Sequence, residues 1–270
     1  MYSGVLGRIG FIGMIGLVCT GVWIGCKGKS KEEPAQVVAK AEPTVDSRYA
    51  TWKTFEFQNI KIMYPPGHPQ ESTLTNMGEA YVYLIRKVNE ILGMQPITDT
   101  LTVYYYTGFG QGRELTGQQY PYADSQAIHF WLPSFYGPVI MQYLLPRWAP
   151  DPPRHKFLKH GLISMFDLSG QNYHVSTIGY KNSGEFIPLE KLAIDTATNS
   201  NEERLQSAEA ASLCAYIISD FGAHALRELY LSPVSFDSSV SQTCFVPVDT
   251  LQNRWLAFVK LNVPKDSIRD

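Results

Sequence analysis

The sequence begins with a long apolar run that is followed directly by positively charged residues. The run extends over residues 9–25, with Arg8 before it and Lys27, Lys29 and Lys31 after it. It is longer than the apolar core of a secretory signal but shorter than the roughly 20 apolar residues of a membrane-spanning helix. Such a segment indicates export and membrane attachment. We therefore expect the folded part of the chain to lie outside the cytoplasm.

The end of this run, Trp23-Ile24-Gly25-Cys26, resembles a bacterial lipobox, in which small residues precede the cysteine that receives the lipid. Gly25 fits that pattern, whereas Trp23 stands where a leucine-like residue is usual. One interpretation is that residues 1–26 are a lipoprotein signal and that Cys26 is lipidated. The other is an uncleaved anchor helix, although the glycines of the run weaken such a helix. Both interpretations place the protein in the cell envelope, on a membrane and facing the periplasm or the exterior.

A polar segment separates the apolar run from a predicted globular domain. Residues 27–48 contain almost no large apolar side chains, so they cannot bury enough surface to offset the entropy of ordering, and we expect a flexible tether. Residues 49–263 are rich in aromatic residues and long enough for one hydrophobic core. The formal net charge of −2 and the lack of a basic stripe argue against a nucleic-acid partner.

Two cysteines fall within the predicted domain, Cys214 and Cys244. An exported compartment permits a disulfide between them. Cys214 lies in an apolar run with helical periodicity, so a buried free thiol is the alternative interpretation.

The first half of the domain carries the strand patterns. Residues 55–62 alternate apolar and polar side chains, residues 100–107 are β-branched and aromatic, and residues 126–132 form a third strand-like run. Between the first two strands, apolar residues recur every three or four positions over 70–92 and Gly93 follows. This spacing predicts a long helix that ends at the glycine.

Helical patterns dominate the second half. Glu202 and Glu203 favour the start of a long helix, because acidic side chains are stabilised near the positive end of the helix dipole, and Gly222 ends that helix. A strand-rich first half followed by a mainly helical second half predicts an α+β fold. The predicted helices cover residues 136–148, 153–168, 188–196, 201–221, 223–231 and 248–261.

The six histidines do not form a zinc-peptidase motif. That motif places two histidines four residues apart on a helix, so that both imidazoles project from one face beside a catalytic glutamate. No histidine here has a partner four residues on. His155 and His160 are five apart and diverge on a helix. His224 and Glu228 have the spacing of a solvated surface pair.

Other catalytic motifs are also missing. The sequence contains no Gly-x-Ser-x-Gly nucleophile elbow. Residues 108–112 are rich in glycine and follow a predicted strand, which superficially matches a phosphate-binding turn. Arg113 stands in place of the last glycine of that fingerprint, and no Gly-Lys-Ser/Thr follows, so we predict a flexible loop.

One segment of the second half, together with the order of elements after it, carries a family resemblance. Residues 157–162 are Phe-Leu-Lys-His-Gly-Leu. This segment resembles the Trp-Leu-x-Glu-Gly-Leu segment of gluzincin peptidases, in particular the peptidase MA-like group. The strand–helix–strand opening and residues 107–117 fit the first half of such a domain, so the resemblance covers most of residues 55–260. Similar segments follow downstream at 186–192, 215–218, 221–222, 226–230 and 251–255.

The resemblance implies a zinc site that this sequence has lost. In that group the glutamate of the Glu-Gly-Leu segment is the third zinc ligand, and His160 occupies its position. The preceding helix would carry His-Glu-x-x-His. In the matching register Met141 replaces the first histidine, Gln142 the catalytic glutamate and Leu145 the second histidine.

Each replacement removes one function of the zinc site. Methionine suits zinc poorly and leucine donates nothing, while glutamine cannot take a proton from water. We therefore expect no metal, no cofactor and no peptidase catalysis. The same residues also have plain structural interpretations: Met141 and Leu145 as a core face, and His160 as a buried histidine that is hydrogen-bonded near Asp167.

Three functional hypotheses remain open. The first is a pseudo-metallopeptidase domain that binds a peptide, a glycan or a partner protein in the former catalytic cleft, which tyrosines and tryptophans would line. The second is a hydrolase of unorthodox chemistry, which would need His155, His160, Asp167 and His174 to converge. The third is a purely structural envelope component without an open cleft.

Overall fold

The computed structural model describes residues 46–131, 136–194 and 200–264. The predicted signal segment with Cys26, and all but the last residues of the predicted tether, lie outside the described residues. Among the helices that are described, none is long and apolar enough to cross a membrane.

A five-stranded mixed sheet dominates the first half of the domain. The strand order is β1-β2-β3-β5-β4, with β2, β3 and β5 parallel and with β1 and β4 antiparallel at the two edges. The strands are β1 (Lys53–Phe57), β2 (Ile60–Tyr64), β3 (Leu101–Tyr105), β4 (Tyr122–Ala123) and β5 (Ala127–Phe130).

The single strand predicted over 55–62 is wrong, because this stretch is part of a hairpin. The chain turns at Gln58 and Asn59, and β1 pairs with β2 from Phe57 opposite Ile60 outwards. Gln58 has a φ of 54°, the left-handed conformation that tight turns use. Two adjacent polar residues interrupt the apolar–polar alternation at this point. They are the signal of the turn within the longer pattern.

Helices fill the second half, and the α+β prediction is confirmed. α3 and α4 follow the last strand, and the long α7 crosses the helical half. The described α-helices are α1 (Leu74–Leu92), α2 (Phe109–Thr116), α3 (Tyr136–Trp148), α4 (Lys156–Met165), α5 (Tyr173–Ser183), α6 (Leu189–Leu192), α7 (Ser200–Leu231), α8 (Phe236–Thr243) and α9 (Val248–Leu261).

Two helix boundaries predicted from glycines are confirmed. Gly93 caps α1 with a φ of 64°, and its N–H bonds to the carbonyl of Asn89. Gly222 interrupts α7 with a φ of 86°, so the two helices predicted on either side of it meet at a kink. Both positions use the left-handed region that glycine enters without a steric cost.

Three helices, α2, α5 and α8, are not among the predicted elements. Most of the loop predicted over 108–112 is the start of α2, where Gln111 Oε1 accepts the Thr107 N–H at 2.9 Å. The side chains of Asn172 and Ser235 cap α5 and α8 by accepting backbone N–H groups. These segments are short and polar, so their helical state depends on caps and tertiary packing rather than on apolar periodicity.

The two cysteines of the domain are buried free thiols. Burial raises the pKa of the Cys244 thiol to about 11 and that of Cys214 further still. Cys214 lies on α7, where its Sγ is 3.8 Å from the carbonyl oxygen of Leu158 on α4. The structure thus contains the two thiols and not the disulfide that an exported compartment would permit.

α4 and α7 approach each other through a glycine. A Cβ added to Gly161 would lie 2.6 Å from the carbonyl carbon and oxygen of Ala210. The neighbouring Leu158 and Leu162 are fully buried on the same face of α4. Because the obstacle is backbone, it cannot rotate away as a side chain would.

We expect Gly161→Ala to destabilise the protein by about 1–3 kcal/mol, because the added methyl group forces α4 away from α7. Gly179→Ala is the matched control, since nothing lies within 4 Å of a Cβ at that helical position of α5. Alanine is the better helix former there, and the control should be neutral or more stable by up to about 1 kcal/mol. Denaturant unfolding of both variants checks this, and equal effects would contradict it.

Candidate functional site

A cleft of about 640 Å³ opens between β4, α3 and α4. One wall is the edge strand β4, which contributes Ala123. The opposite wall is α4, with Lys159, His160 and Ile163, and Tyr230 of α7 also borders the cavity. The remainder of the lining comes from α3 and the loop after it: Gln142, Leu145, Pro146, Ala149, Pro150, Asp151, Pro152 and Pro153.

Three of the four residues carried over from the family resemblance line this cleft: Gln142, Leu145 and His160. Met141 does not, because it is fully buried in the main core. The residues four apart on α3 that do line the cleft are Gln142 and Pro146. This pair is displaced by one residue from Met141 and Leu145, the pair that the sequence register places at the two histidine positions.

His160 is exposed on the outer face of α4 and lines the cleft. Its alternative interpretation as a buried histidine bonded near Asp167 is wrong. Asp167 instead accepts a hydrogen bond from the Tyr173 hydroxyl. The plain core interpretation is confirmed for Met141, which is buried among apolar side chains.

The donor set of the cleft does not fit a zinc ion. A catalytic zinc needs three protein ligands, usually histidines and a carboxylate. Among the lining residues His160 is the one imidazole and Asp151 the one carboxylate, while glutamine and proline stand at the cleft-facing positions of α3. In the described part of the chain, no three histidine, cysteine or acidic side chains are grouped to hold a metal ion.

The edge strand β4 presents unpaired backbone groups at the cleft. The Asp124 N–H bonds to the carbonyl of Ala127 at 3.1 Å, so these two residues form a hydrogen-bonded pair. Such pairs alternate along an antiparallel ladder, and Ala123 opposite Ile128 is therefore a non-hydrogen-bonded pair. The N–H and C=O of Ala123 consequently point away from β5.

A side chain from α3 occupies this edge. Gln142 Oε1 accepts the Ala123 N–H at 3.2 Å. The Ala123 carbonyl has no hydrogen-bond donor among the described residues. The strand edge is thus closed by one glutamine amide, and the cleft lies beside it.

Tyr230 is a cleft residue that the sequence did not single out. It is only 3% exposed, and its ring packs edge-on against Trp148 with centroids 5.5 Å apart. Burial raises the pKa of its hydroxyl to about 12, and that hydroxyl has no hydrogen-bond partner within the described ranges. A tyrosine on an amphipathic helix has the sequence signature of an ordinary core residue, so no pattern marks it as a cleft residue.

The second half of α7 is fixed against the end of α3. Arg227 Nε donates to the carbonyl oxygen of Trp148 at 2.6 Å, which caps the C-terminal end of α3. Tyr230 lies three residues further along the same helix. This contact holds the tyrosine at the cleft wall.

The other predicted site residues have separate surroundings. His155 Nε2 donates to the Val234 carbonyl at 3.1 Å, and burial lowers the pKa of its imidazole. His174 Nδ1 lies 2.8 Å from the Ser212 hydroxyl, which accepts the Trp255 indole N–H. In the part of the chain that is described, no hydrogen bond, ion pair or ring contact joins any two of His155, His160, Asp167 and His174.

A histidine outside the cleft is stacked between two tyrosines of the sheet. His129 of β5 stacks on Tyr122 at 4.5 Å and on Tyr104 at 5.0 Å. Its Nδ1 lies 2.7 Å from the Tyr106 hydroxyl, and its Nε2 lies 3.6 Å from Asp124. Burial lowers the pKa of His129. The cluster fastens the β4–β5 hairpin to β3.

Glu209 is a buried carboxyl that sequence reasoning missed. It lies on α7, is fully buried, and both its oxygens are within 3.3 Å of the Ile187 amide nitrogen. Burial raises its pKa to about 8. It fixes the extended segment before α6. A lone Glu in an apolar helical run is the signal that could have found it.

The sequence matches no protein-family model and no curated protein. The resemblance to peptidase MA-like domains therefore depends on residues 157–162 and on the order of the elements. Function has to be inferred from the cleft and its lining.

We expect full-length protein that is incubated with zinc and then dialysed to retain less than one zinc per chain. The cleft supplies one imidazole, which cannot hold the ion alone. Metal analysis of the wild type and of His160→Ala should give the same low value. Stoichiometric zinc that His160→Ala abolishes would contradict this prediction.

A gain-of-function variant tests the cleft register directly. Gln142→His combined with Pro146→His places two imidazoles in the cleft with His160, and this variant should retain about one zinc. Met141→His combined with Leu145→His is the matched control, which should not retain zinc because position 141 lies in the core. Zinc retention by the control alone would restore the original register.

Glu209 should make the stability pH-dependent. Between about pH 4.5, its ordinary pKa, and about pH 8, the unfolded chain ionises while the folded protein keeps the proton. The free energy of unfolding therefore falls as the pH rises through this window and levels off above it. Denaturant unfolding at pH 5 and pH 8 should show that Glu209→Gln removes this loss. The exposed Glu190→Gln should not remove it, and identical pH slopes in all three proteins would disprove the assignment.

Proposed function

We propose that this protein is a membrane-tethered lipoprotein of the cell envelope whose domain is an inactive relative of gluzincin peptidases. In this proposal the cleft between β4, α3 and α4 binds an extended peptide segment and does not cleave it. The sequence of residues 1–48 supports the export and tethering. The geometry of the cleft supports the binding.

The arrangement around the cleft supports the family relationship. The resemblance implies that the helix of the lost His-Glu-x-x-His motif and the helix of the third ligand face one cavity. α3 and α4 do so here, through Gln142, Pro146 and His160. A mixed sheet with an antiparallel edge strand borders the same cavity.

The observation that carries the proposal is the edge of β4, which a single glutamine side chain covers. An extended peptide adds to a sheet by pairing its backbone with unpaired N–H and C=O groups of an edge strand. Ala123 directs both groups away from β5, beside a cleft large enough for several side chains, and only the Gln142 side chain occupies its N–H. A peptide would displace the Gln142 side chain from the Ala123 N–H, a bond that the glutamine amide can exchange for one with the ligand.

Binding is favoured over catalysis by the chemistry of the lining. Gln142 cannot act as a general base, and His160 has no polar partner in the described part of the chain to orient it. A hydrolase built from His155, His160, Asp167 and His174 would need those groups in contact, and each has its own surroundings. A purely structural component would not require a cleft with an unpaired strand edge.

We expect Ala123→Pro to weaken peptide binding about tenfold or more, because proline removes the edge N–H. Gln142→Ala should change the affinity much less than Ala123→Pro does, since it removes both the competitor for that N–H and one hydrogen bond to the peptide. Full-length protein in lipid nanodiscs would be panned against a random phage-displayed peptide library. The affinities of the selected peptides would then be measured by fluorescence anisotropy.

His224→Ala is the matched control for general surface effects. His224 is an exposed helical histidine outside the cleft, 3.5 Å from Glu228, which confirms the predicted surface pair. Its removal should leave binding unchanged. Enrichment no better than on empty nanodiscs, or equal affinities for wild type and Ala123→Pro, would refute the peptide proposal.

A further inference from the structure

The polar groups on the α4 and α7 side of the cleft are left without partners. Once a peptide backbone is assigned to the β4 edge, three donors remain at the opposite wall: the Lys159 ammonium, the His160 imidazole and the Tyr230 hydroxyl. None of the three has a hydrogen-bond or ion-pair partner within the described ranges. They therefore form a set of donors that only a ligand or water can satisfy.

Tyr230 makes this a built site rather than a group of surface side chains. The residue is only 3% exposed, and its ring packs against Trp148. The hydrogen bond from Arg227 to the Trp148 carbonyl holds this part of α7 against α3. The Tyr230 hydroxyl is not one of the buried polar atoms that lack a partner in the described residues, so the oxygen itself is open to solvent. The cleft is the open space that Tyr230 borders, so a ligand in the cleft can reach this hydroxyl.

The signs of the charges define the chemistry of that partner. Lys159 brings a positive charge, and α4 carries no acidic residue that would offset it. Asp151 is the one acidic lining residue, and it lies on the exposed proline-rich loop rather than on α4. Ammonium, imidazole and phenol donors together suit an oxygen acceptor that carries negative charge.

The apolar lining residues indicate which kind of ligand group lies next to the negatively charged acceptor. Leu145, Ala149 and Ile163 line the same cleft as the donors, and the prolines of the loop offer no backbone N–H groups. This surface can pack against an apolar side chain of the ligand, but it offers no hydrogen bonds to a second polar one. A carboxylate next to an apolar residue matches both parts.

We infer that the cleft selects peptides by a carboxylate, which Lys159, His160 and Tyr230 hold while an apolar neighbour packs on Leu145 and Ile163. This inference rests on the proposed peptide binding and adds the ligand class. The carboxylate is either the C-terminus of the peptide or an acidic side chain. The shared chemistry is the same for both sources.

Matched synthetic peptides separate the two sources. Random hexapeptide pools would be made with a free or an amidated C-terminus, each with and without Asp and Glu, and tested for binding to the full-length protein in nanodiscs. The pool without any carboxylate should bind about tenfold more weakly or worse than the best pool, as expected for loss of a charge-assisted contact. Loss on amidation identifies the C-terminus, and rescue by Asp or Glu identifies the side chain.

Two conservative variants test the residues. Tyr230→Phe and Lys159→Gln should each reduce the preference for carboxylate-bearing pools while leaving the carboxylate-free pool unaffected. Tyr216→Phe is the control for the buried tyrosine, because its hydroxyl bonds to Asp220 outside the cleft. Lys181→Gln is the control for an exposed lysine on α5. Circular dichroism confirms that each variant is folded.

The two proposals fail in different ways. Equal binding of all four pools would overturn the carboxylate inference and leave peptide binding intact. Binding of none of the pools would overturn the proposed function itself, and the carboxylate inference with it. An unchanged carboxylate preference in both Tyr230→Phe and Lys159→Gln would overturn the assignment of these residues.

Discussion

The close contact of α4 with α7 determines where the cleft residues lie. Gly161 packs against the backbone of Ala210, and Leu158 and Leu162 are buried on the same face. Because this face of α4 is held against α7, the rotation of α4 about its axis is fixed. His160 and its neighbour Lys159 therefore lie on the side of α4 that faces the cleft. A larger residue at 161 would separate the helices and move both donors. The position of the α4 wall of the cleft therefore depends on an interaction in the core.

The second determinant is the hydrogen bond between Gln142 and Ala123, which closes the edge of the sheet. Exposed strand edges invite pairing with other chains, and proteins usually protect them. Here the protection is a single neutral hydrogen bond of 3.2 Å. Such a bond contributes about 1 kcal/mol net, so in the proposed function a peptide that pairs with both the N–H and the C=O of Ala123 can replace it. The same contact thus limits indiscriminate pairing and leaves the edge accessible to a specific ligand.

Some features were predictable from the sequence because they depend on local chemistry. Gly93 and Gly222 end helical segments through positive φ angles, and apolar periodicity identifies α1 and most of α7. α5 and α8 depend on polar caps and tertiary packing, which periodicity does not report. The hairpin between β1 and β2 was hidden because the apolar–polar alternation resumes directly after its two-residue turn, so the two strands resemble one longer strand.

The register of the cleft could not be fixed from the sequence for a related reason. Residues on α3 are apolar on most of its faces, so periodicity does not distinguish the cleft side from the core side. Met141 and Gln142 are neighbours in the chain, yet one is buried in the core and the other lines the cleft. Tyr230 was missed because a tyrosine on an amphipathic helix has the sequence pattern of an ordinary core residue. Its role follows only from the cavity beside it.

In the proposed function, an amide at position 142 suits the cleft better than a carboxylate would. A glutamate at position 142 would be an acceptor only, and its charge would repel a carboxylate-bearing ligand. The glutamine amide accepts the Ala123 N–H in the free protein and also carries two donor hydrogens for a bound peptide carbonyl. It can therefore satisfy its hydrogen bonds in both states without a change of charge. The neutral amide of Gln142 therefore suits the reversible capture of an acidic peptide that we propose.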